Sequence, residues 1–208
     1  KYKWVCWGIG VSASYKKPLG VYIFRDTLRR WIFDKANCLV FYSDAPLHLG
    51  HYKNTCFVAN NSIKGGQFVI PKSMKRSEIA FIGTLYKEKN LHIFLEEFIN
   101  FKKRFESDLK FRIIGDGPDL LRLKQIVSDK EANSFVIFNG RVTDATELDS
   151  ILSNAIFAVS PNQAGLSVLD CFSRGLPFVT SSNAITGGER FAINHGKNGY
   201  LLDNFSEM

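Results

Sequence analysis

The chain has 208 residues, 27 Lys or Arg, 20 Asp or Glu, and a formal net charge of +7. Its 45% apolar content includes 18 Phe, which is enough for a hydrophobic core and excludes disorder of the whole chain. Neither a collagen-like glycine period nor sustained heptads occur, and no apolar run approaches the roughly 20 residues of a membrane-spanning helix.

The pattern in the first part of the chain is irregular. It predicts a strand over 4–9, a basic amphipathic helix over 21–36, and strands over 38–42 and 55–59. A polar, glycine-containing stretch follows at 61–77 and indicates a linker. About 60 residues are too few for a complete doubly wound domain, so we expect the end of one. The start at Lys1 instead of Met adds the expectation that the chain is a fragment.

The second part alternates strand and helix signals. Six strands separated by helices predict a parallel sheet covered on both faces, which is a doubly wound α/β domain. Ligands of such sheets bind where the strands end. The predicted strands are 79–82, 109–114, 135–138, 156–159, 178–180 and 200–202. The predicted helices are 90–106, one with Pro118 in its first turn, one capped by Thr143 or Asp144, 166–174 and 189–194.

Basic residues are concentrated in the first part. Residues 1–76 hold 13 Lys or Arg against 3 Asp or Glu, a net +10, whereas residues 77–208 hold 14 against 17, a net −3. This asymmetry indicates two parts with different partners. The basic part suits anionic lipid, nucleic acid or a phosphorylated substrate, and the alternative is a solvated basic face.

The four cysteines are scattered, at Cys6, Cys38, Cys56 and Cys171. They form no Cys-x-x-Cys pair and no zinc-type spacing, and they are too few for a disulfide framework. We expect buried structural thiols and a reducing, cytosolic setting.

Sequence fingerprints for nucleotides and metals are weak. Gly8-x-Gly10-x-x-Ala13 follows a strand, but no amphipathic helix opens at residue 10, so a dinucleotide site is not predicted there. No Walker A sequence occurs, and no Asp-x-Asp of the kind that metal-dependent transferases often show. We therefore expect no metal and no cofactor.

The loop 160–167 is more informative because it leaves a strand and enters a helix. Gly165 lets a ligand approach the backbone, and the N–H groups at the helix start favour an anion. Asp170, one turn further on, can accept hydrogen bonds from a sugar diol. The alternative is that Asp170 only stabilises the helix N-terminus.

Lys89 lies at the start of another helix, after the loop Gly83-Thr84-Leu85. From there a Lys can reach a phosphate across the same crevice. The alternative is a surface lysine beside Lys87 and Glu88.

Taken in order, the motifs of the second part resemble the C-terminal domain of family 4 retaining glycosyltransferases. The agreement in order and spacing covers about 120 residues, and the ordered set is more specific than any one motif. The matching motifs are Phe81-Ile82-Gly83-Thr84-Leu85 with Lys89-Asn90, Ile113-Ile114-Gly115-Asp116-Gly117-Pro118, Phe138-Asn139-Gly140-Arg141-Val142, Ser160-Pro161, Gly165-Leu166-Ser167-Val168-Leu169-Asp170, Gly175-Leu176-Pro177, and Glu189 with Asn198-Gly199-Tyr200-Leu201.

The resemblance implies the two-domain GT-B fold. Residues 1–60 would be the end of the N-terminal, acceptor-side domain, 61–77 a linker, and 78–208 the C-terminal domain that binds the nucleotide-sugar. Segments of the first part, such as Trp7-Gly8-Ile9-Gly10, Phe41-Tyr42-Ser43 and Phe57-Val58-Ala59-Asn60-Asn61, resemble that region in bacterial surface-polysaccharide enzymes.

The resemblance also assigns roles to individual residues. Lys89 would contact the donor diphosphate and, with Asn162, form the catalytic pair. Asp170 would bind the nucleotide ribose, and Gly140 to Val142 would lie beside the base. The expected donor-binding residues are Gly83, Thr84, Gly115, Gly140, Arg141, Val142, Gly165, Leu166, Ser167 and Asp170.

Three positions depart from the family pattern. Thr84 stands where the family usually has Arg, Asn162 replaces the first of two Glu residues, and Ile9 occupies a position that is commonly His. The missing Arg removes a fixed positive charge that would stabilise the leaving diphosphate.

The resemblance implies a transferase that moves a hexose from a nucleotide-sugar to an acceptor hydroxyl with retention, in cell-surface polysaccharide or glycolipid synthesis. The partners would be the donor and a sugar or lipid-linked acceptor, in the cytoplasm or at the inner membrane face, with membrane contact through the basic first part and no nucleic acid. The alternative is a non-catalytic nucleotide or nucleotide-sugar binder, which the departures at Thr84 and Asn162 favour.

Overall fold

The structure is a computed structural model, and it describes residues 2–8, 23–44, 47, 52–64 and 75–205. The side chains of 23–26 lie outside the description as well. Ile9, Gly10 and Ala13 of the weak fingerprint, and most of the predicted linker, fall outside these ranges. The division into 1–60, 61–77 and 78–208 stays a prediction.

The first part forms a three-stranded parallel sheet in the order β1-β2-β3. Its strands are Val5–Gly8 (β1), Cys38–Phe41 (β2) and Thr55–Val58 (β3), and helix α1 spans Ile23–Lys35. The predicted strands and helix are confirmed over the described residues. Strand β1 begins one residue later than predicted, and α1, β2 and β3 each end one residue earlier. Leu39 and Phe41 are buried on one face of this sheet, since Phe33 of α1 and Tyr52 pack against them.

The second part forms a six-stranded, entirely parallel sheet in the order β11-β9-β7-β4-β5-β6. The chain runs outward from β4 first to one edge and then to the other, which confirms the doubly wound prediction. The strands are Glu78–Ile82 (β4), Lys110–Ile114 (β5), Val136–Gly140 (β6), Ala155–Ser160 (β7), Phe178–Ser181 (β9) and Gly199–Leu202 (β11). The helices are Leu91–Arg104 (α2), Leu120–Asp129 (α3), Ala145–Leu152 (α4) and Ser167–Ser173 (α5).

Side chains of the central strand β4 alternate between two cores. Ile79 and Phe81 pack in the core that α2 and α3 cover, whereas Ala80 packs in the core that α4 and α5 cover. Residues with opposite parity on one strand point to opposite faces, so both faces of the sheet are buried. This burial fixes the strand register and therefore the positions of the loops at the strand ends.

Several element ends differ from the prediction. Pro118 precedes helix α3 instead of lying in its first turn, because Asp119 is the N-cap. Asp144 is the cap of α4, and its side chain accepts a hydrogen bond from the N–H of Glu147 at 2.8 Å. The segment predicted as a helix over 189–194 is a 3-10 turn, Glu189–Ala192.

A short parallel ladder was not predicted. Gln163–Ala164 (β8) pairs with Ile185–Thr186 (β10). Two-residue strands carry no periodic signal, so the sequence pattern does not reveal them. The ladder joins the loops that follow β7 and β9 at the end of the sheet where ligands are expected.

The cysteine prediction is partly wrong. All four thiols are free, but only Cys171 is buried, whereas Cys6, Cys38 and Cys56 are half-buried in the first sheet. Cys6 and Cys56 pack against the small core of Leu39 and Phe41, but they lie on the two edge strands β1 and β3 and stay partly exposed.

Among the described residues, no helix has the length and apolar character to cross a membrane.

Candidate functional site

A pocket of about 510 Å³ lies at the carboxyl ends of β4, β5 and β6. We call it the strand-end pocket. This is the position where parallel α/β sheets bind ligands, because the loops there are close together and the strand ends leave a crevice. Its lining consists of Ile82, Gly83, Thr84, Ile114, Gly115, Asp116, Gly117, Arg141 and Val142.

Two glycine-containing loops form one wall of the strand-end pocket in near contact. A Cβ added at Gly115, where φ is +150°, would lie 1.9 Å from the carbonyl oxygen of Gly83. A Cβ at Gly117 would lie 2.6 Å from the carbonyl oxygen of Leu85. Side chains at Gly115 and Gly117 would therefore force the two loops apart, so glycine keeps bare backbone at the pocket.

Backbone hydrogen bonds hold these loops in register. The N–H of Gly83 donates to Ile114 at 2.9 Å, and the N–H of Gly115 donates to Gly140 at 2.7 Å. The N–H of Leu85 donates to Asp116 at 2.9 Å. The three strand ends thus form one connected frame, which includes Gly140 although that residue does not itself line the pocket.

The side chain of Lys89 lies against the loop that follows β4. Lys89 ends the 3-10 turn Lys87–Lys89, separate from helix α2, and its ammonium lies 5.1 Å from the centre of the Phe81 ring. A Cβ added at Gly83 would lie 2.6 Å from Nζ of Lys89, so the ammonium rests against a glycine of the strand-end pocket.

Burial lowers the pKa of Lys89 from 10.5 to about 8. Desolvation disfavours the charged form of a lysine, and no ion pair among the described residues includes Lys89 to offset it. An anion bound in the strand-end pocket would supply the missing negative partner. Lys89 is thus a desolvated cation beside the strand-end pocket, with no ion-pair partner among the described residues.

Asn162 contacts the Lys89 turn directly. Its side-chain amide donates to the carbonyl of Glu88 at 2.7 Å, and its backbone N–H donates to the carbonyl of Lys89 at 3.2 Å. The structure therefore brings together the two residues of the predicted catalytic pair, but through the backbone of the Lys89 turn.

The predicted anion-binding loop leads into a shorter helix than expected. Helix α5 has seven residues, Ser167–Ser173, and the N–H of Val168 donates to Gly165 at 2.9 Å. Gly165 has open space where a Cβ would stand, and Leu166 is exposed. None of Gly165, Leu166 and Ser167 lines the strand-end pocket, so their contact with a donor stays a prediction.

Asp170 is held by an arginine. Nη1 of Arg174 donates to Oδ1 of Asp170 at 2.6 Å, and Nε of Arg174 donates to Oδ1 of Asp149 at 2.6 Å. Arg174 is only 8% exposed, whereas Asp170 is half-buried. The pairing links α5 to α4 and fixes the orientation of the Asp170 carboxylate, an arrangement that the sequence did not predict.

A second cavity of about 410 Å³ lies between the two sheets, and we call it the junction pocket. The carboxylate side chain of Glu189, a residue that is only 6% exposed, lines this pocket. Oε1 of Glu189 accepts from the Asn61 amide at 2.9 Å, and Oε2 accepts from the N–H of Gly187 at 3.0 Å. The junction pocket is lined by Tyr42, Ser43, Asp44, Val58, Asn60, Asn61, Leu169, Gly188, Glu189, Phe191 and Ala192.

No site role was predicted for Asn61 or Glu189, although both stand in motifs of the family resemblance. Apart from those motifs, one feature of the sequence could have indicated a site: the carboxylate of Glu189 directly follows Gly187-Gly188. Glycines allow the backbone to approach another segment closely. A Cβ at Gly188, where φ is +135°, would lie 3.1 Å from Cβ of Ser43 in the first part.

Of the predicted donor-binding residues, five line the strand-end pocket: Gly83, Thr84, Gly115, Arg141 and Val142. Asp116 and Gly117 also line it, and both belong to the Gly115 motif of the family resemblance. Across the described ranges, no cluster of three or more His, Cys, Asp or Glu side chains has a geometry that could hold a metal ion.

Comparison with known proteins identifies the family. The sequence profile described as Glycosyl transferases group 1 matches residues 76–208. The chain belongs to this family. The match covers the whole six-stranded sheet, the strand-end pocket and the Lys89 turn.

Two curated relatives and one solved structure place this member among known proteins. The chain is 28% identical over 98 residues to N-acetyl-alpha-D-glucosaminyl L-malate synthase of Bacillus anthracis, covering 47% of this chain and 25% of the relative. It is 24% identical over 216 residues to an uncharacterized glycosyltransferase of Methanocaldococcus jannaschii, covering 96% and 54%. Anabaena HepE, crystallised with UDP and glucose, superposes with a TM-score of 0.70 and 14% identity, covering 98% of this chain and 59% of HepE.

This group 1 glycosyltransferase chain thus spans 25% and 54% of the two curated relatives. Its two parallel sheets match GT-B glycosyltransferase structures, which confirms the predicted fold class of one doubly wound half with part of a second α/β domain.

Proposed function

We propose that this group 1 glycosyltransferase chain supplies the nucleotide-sugar site of a retaining family 4 hexosyltransferase. The observation that carries the proposal is the strand-end pocket, where bare glycine backbone lies beside the Lys89 ammonium. Backbone without side chains lets a diphosphate approach closely, and an ammonium binds its oxygens through charge-assisted hydrogen bonds. Because HepE was crystallised with UDP, UDP is the first nucleotide to test.

In the proposed reaction, Lys89 stabilises the negative charge that develops on the leaving nucleoside diphosphate. Such stabilisation is most effective when the cation is already in place and poorly solvated, because little reorganisation is then needed. Lys89 meets both conditions, since it is packed against Phe81 and its pKa is lowered by burial. The reaction would need no metal, and the nucleotide-sugar would be a substrate.

Asp170 is proposed to bind the ribose of the donor. Arg174 holds one carboxylate oxygen of Asp170, which leaves the second oxygen to accept from a diol. Gly140, Arg141 and Val142 would lie beside the base, and Gly165, Leu166 and Ser167 would offer backbone N–H groups to the diphosphate.

The acceptor is proposed to be a sugar or lipid-linked hydroxyl in cell-surface polysaccharide or glycolipid synthesis, at the inner face of the membrane. The net +10 of residues 1–76 supports a surface that meets anionic lipid. Vesicle binding that is independent of salt and of anionic lipid would contradict this part of the proposal.

The decisive experiment is calorimetric titration of the chain with UDP, other nucleoside diphosphates and their sugar conjugates. We expect binding of at least one, weakened by Lys89→Met and by Asp170→Asn. Absence of binding to every nucleotide would overturn the proposal, and unchanged affinity in both variants would overturn the assigned site.

A second candidate function is nucleotide-sugar binding without transfer. Two observations favour it: the Asn162 amide is engaged with the backbone of Glu88, and Thr84 provides no charge at the position where the family usually has Arg. Release of nucleoside diphosphate from a bound nucleotide-sugar by the whole protein would exclude this candidate.

A further inference from the structure

Asn162 donates two hydrogen bonds to the turn that carries Lys89. The Asn162 side chain donates to the carbonyl of Glu88 at 2.7 Å, and its N–H donates to the carbonyl of Lys89 at 3.2 Å. These carbonyls belong to the two successive peptide groups that flank the Cα of Lys89. Two contacts on both sides of one Cα fix its position and the direction in which its side chain leaves the backbone.

Asn162 is itself held by the short ladder between the loops that follow β7 and β9. It stands two residues beyond β7, and its carbonyl accepts from the N–H of Ile185 at 2.9 Å. The next two residues, Gln163 and Ala164, pair with Ile185 and Thr186 in the ladder of β8 and β10. The contacts on the Lys89 turn thus come from a fixed frame made by the loops after β7 and β9.

The Lys89 turn has little internal support. It is a three-residue 3-10 turn with Lys87 and Glu88 exposed, and Asn90 follows in a left-handed conformation with φ of +53°. Its own bonds run from the N–H of Lys89 to Tyr86 at 3.1 Å and from the N–H of Asn90 to Lys87 at 3.0 Å. Short 3-10 segments have weak hydrogen-bond geometry, so outside contacts determine where such a turn lies.

We propose that Asn162 is a positioning residue that holds the ammonium of Lys89 against Gly83 at the strand-end pocket. The inference rests on the proposed function, because it assigns Asn162 to the binding of the donor diphosphate through Lys89. It differs from the catalytic role that the family resemblance implies for this position. A Glu carboxylate at 162 could not replace Asn162 here, since an ionised carboxylate has no hydrogen to donate to the carbonyl of Glu88.

The test is a double-mutant cycle on UDP affinity, measured by calorimetry with the full chain. Lys89→Met should weaken UDP binding by at least about tenfold, because it removes a charge-assisted contact. Asn162→Ala should weaken it by about fivefold in the wild-type background and leave it unchanged in the Lys89→Met background, since a residue that acts through Lys89 has no effect without it. Asn162→Asp, which keeps the shape but cannot donate to Glu88, should behave like Asn162→Ala.

Asn133→Ala is the matched control, because Asn133 is exposed in the turn after α3. Equal weakening by Asn162→Ala with and without Lys89 would overturn the inference, and so would unchanged affinity in the wild-type background. If the wild-type chain binds another nucleoside diphosphate in place of UDP, the cycle is measured with that nucleotide. If it binds none, the proposed function fails and the inference is judged by a direct measurement. Nuclear magnetic resonance of ¹³C-labelled lysine should then show a shifted Lys89 Cε signal in Asn162→Ala and Asn162→Asp, and an unmoved signal would overturn the inference.

Discussion

The side-chain amide of Asn61 donates a hydrogen bond to Oε1 of Glu189 at 2.9 Å, across 128 residues of sequence. Asn61 follows the first sheet by a few residues, and Glu189 lies in the loop region after β10 of the second part. The same carboxylate accepts from Gly187 at 3.0 Å and from Thr186 Oγ1 at 3.2 Å. One buried carboxylate thus joins the two parts of the chain at the junction pocket.

We expect Glu189→Ala to lower the free energy of unfolding by about 2 kcal/mol, because it leaves the partly buried donors of Asn61 and Gly187 without an acceptor. Asn61→Ala should cost about 1 kcal/mol, since Glu189 keeps its other partners. Urea unfolding measures both values. In the double variant the two losses should not add, and additive losses would contradict a direct coupling. Glu106→Ala is the control, because Glu106 is an exposed carboxylate.

A second prediction concerns the pH dependence of nucleotide binding. Because the pKa of Lys89 is lowered to about 8, the ammonium is lost as the pH rises through that value. UDP affinity should therefore change little between about pH 7 and 7.5, where the terminal phosphate of UDP is already largely ionised, and fall above pH 8, by close to tenfold per pH unit at the steepest point if one proton is involved. Calorimetry at several pH values checks this, and Lys89→Met should bind weakly with no such fall.

The lowered pKa of Lys89 also predicts a pH dependence of stability, with a sign opposite to that of UDP affinity. Between pH 8 and 10.5 the unfolded chain holds a proton on Lys89 that the folded chain has lost, so this group's contribution to stability rises with pH in that window. At pH 7 the charged, desolvated Lys89 destabilises the fold. Lys89→Met should thus raise the free energy of unfolding at pH 7, by on the order of 1 kcal/mol, while it weakens UDP binding. A variant that is both less stable and unable to bind would point to a structural role for Lys89.

Much of the fold was predictable because burial leaves a pattern in the sequence. All six strands of the second sheet and all three of the first were predicted from apolar runs, and Phe94, Leu95 and Phe98 are buried at the spacing that predicted helix α2. Hydrophobic periodicity reports which face of an element is covered, and that information is local in sequence.

The candidate site was predictable only in part. Lys89 and Asn162 were both predicted as catalytic residues, but their contact through the carbonyl groups of the Lys89 turn was not. The direction of an amide depends on where two loops meet in space. Glu189 was not assigned a role, because one polar residue after two glycines has no periodic signal. The link from Arg174 to Asp170 was missed although the residues are one helical turn apart, a spacing that is common for solvated pairs.

A fourth prediction separates two glycines, Gly115 and Gly165. Gly115→Ala should cost about 3 kcal/mol of stability, because its Cβ would lie 1.9 Å from the carbonyl of Gly83 and its φ is +150°. Gly165→Ala should leave stability within about 0.5 kcal/mol, since its Cβ would meet open space. If the donor approaches the backbone of Gly165 as proposed, this second variant should nevertheless weaken UDP binding. Thermal unfolding and calorimetry on the same samples distinguish the two effects, and equal stability losses in both variants would contradict the geometry.

The last prediction concerns acid stability and the central strand. Glu78 is buried at the start of β4, and Nη2 of Arg112 on β5 donates to its Oε1 at 2.6 Å while Nε donates to its Oε2. Burial alone would raise the pKa of Glu78, but the hydrogen bonds and charge of Arg112 outweigh it, so the pKa lies below its ordinary value of 4.5.

A carboxylate with a lowered folded-state pKa contributes stability that is fully present above its unfolded value and is lost as the pH falls through the folded one. Unfolding free energy should therefore decline from about pH 5 downward in the wild-type chain, and less steeply in Glu78→Gln. Glu78→Gln should also be less stable at pH 7 by about 2 kcal/mol, because it leaves Arg112 without its charged partner beside the sheet. Parallel pH profiles of the two chains would contradict the pairing as a source of acid sensitivity, and Glu106→Gln provides the exposed comparison.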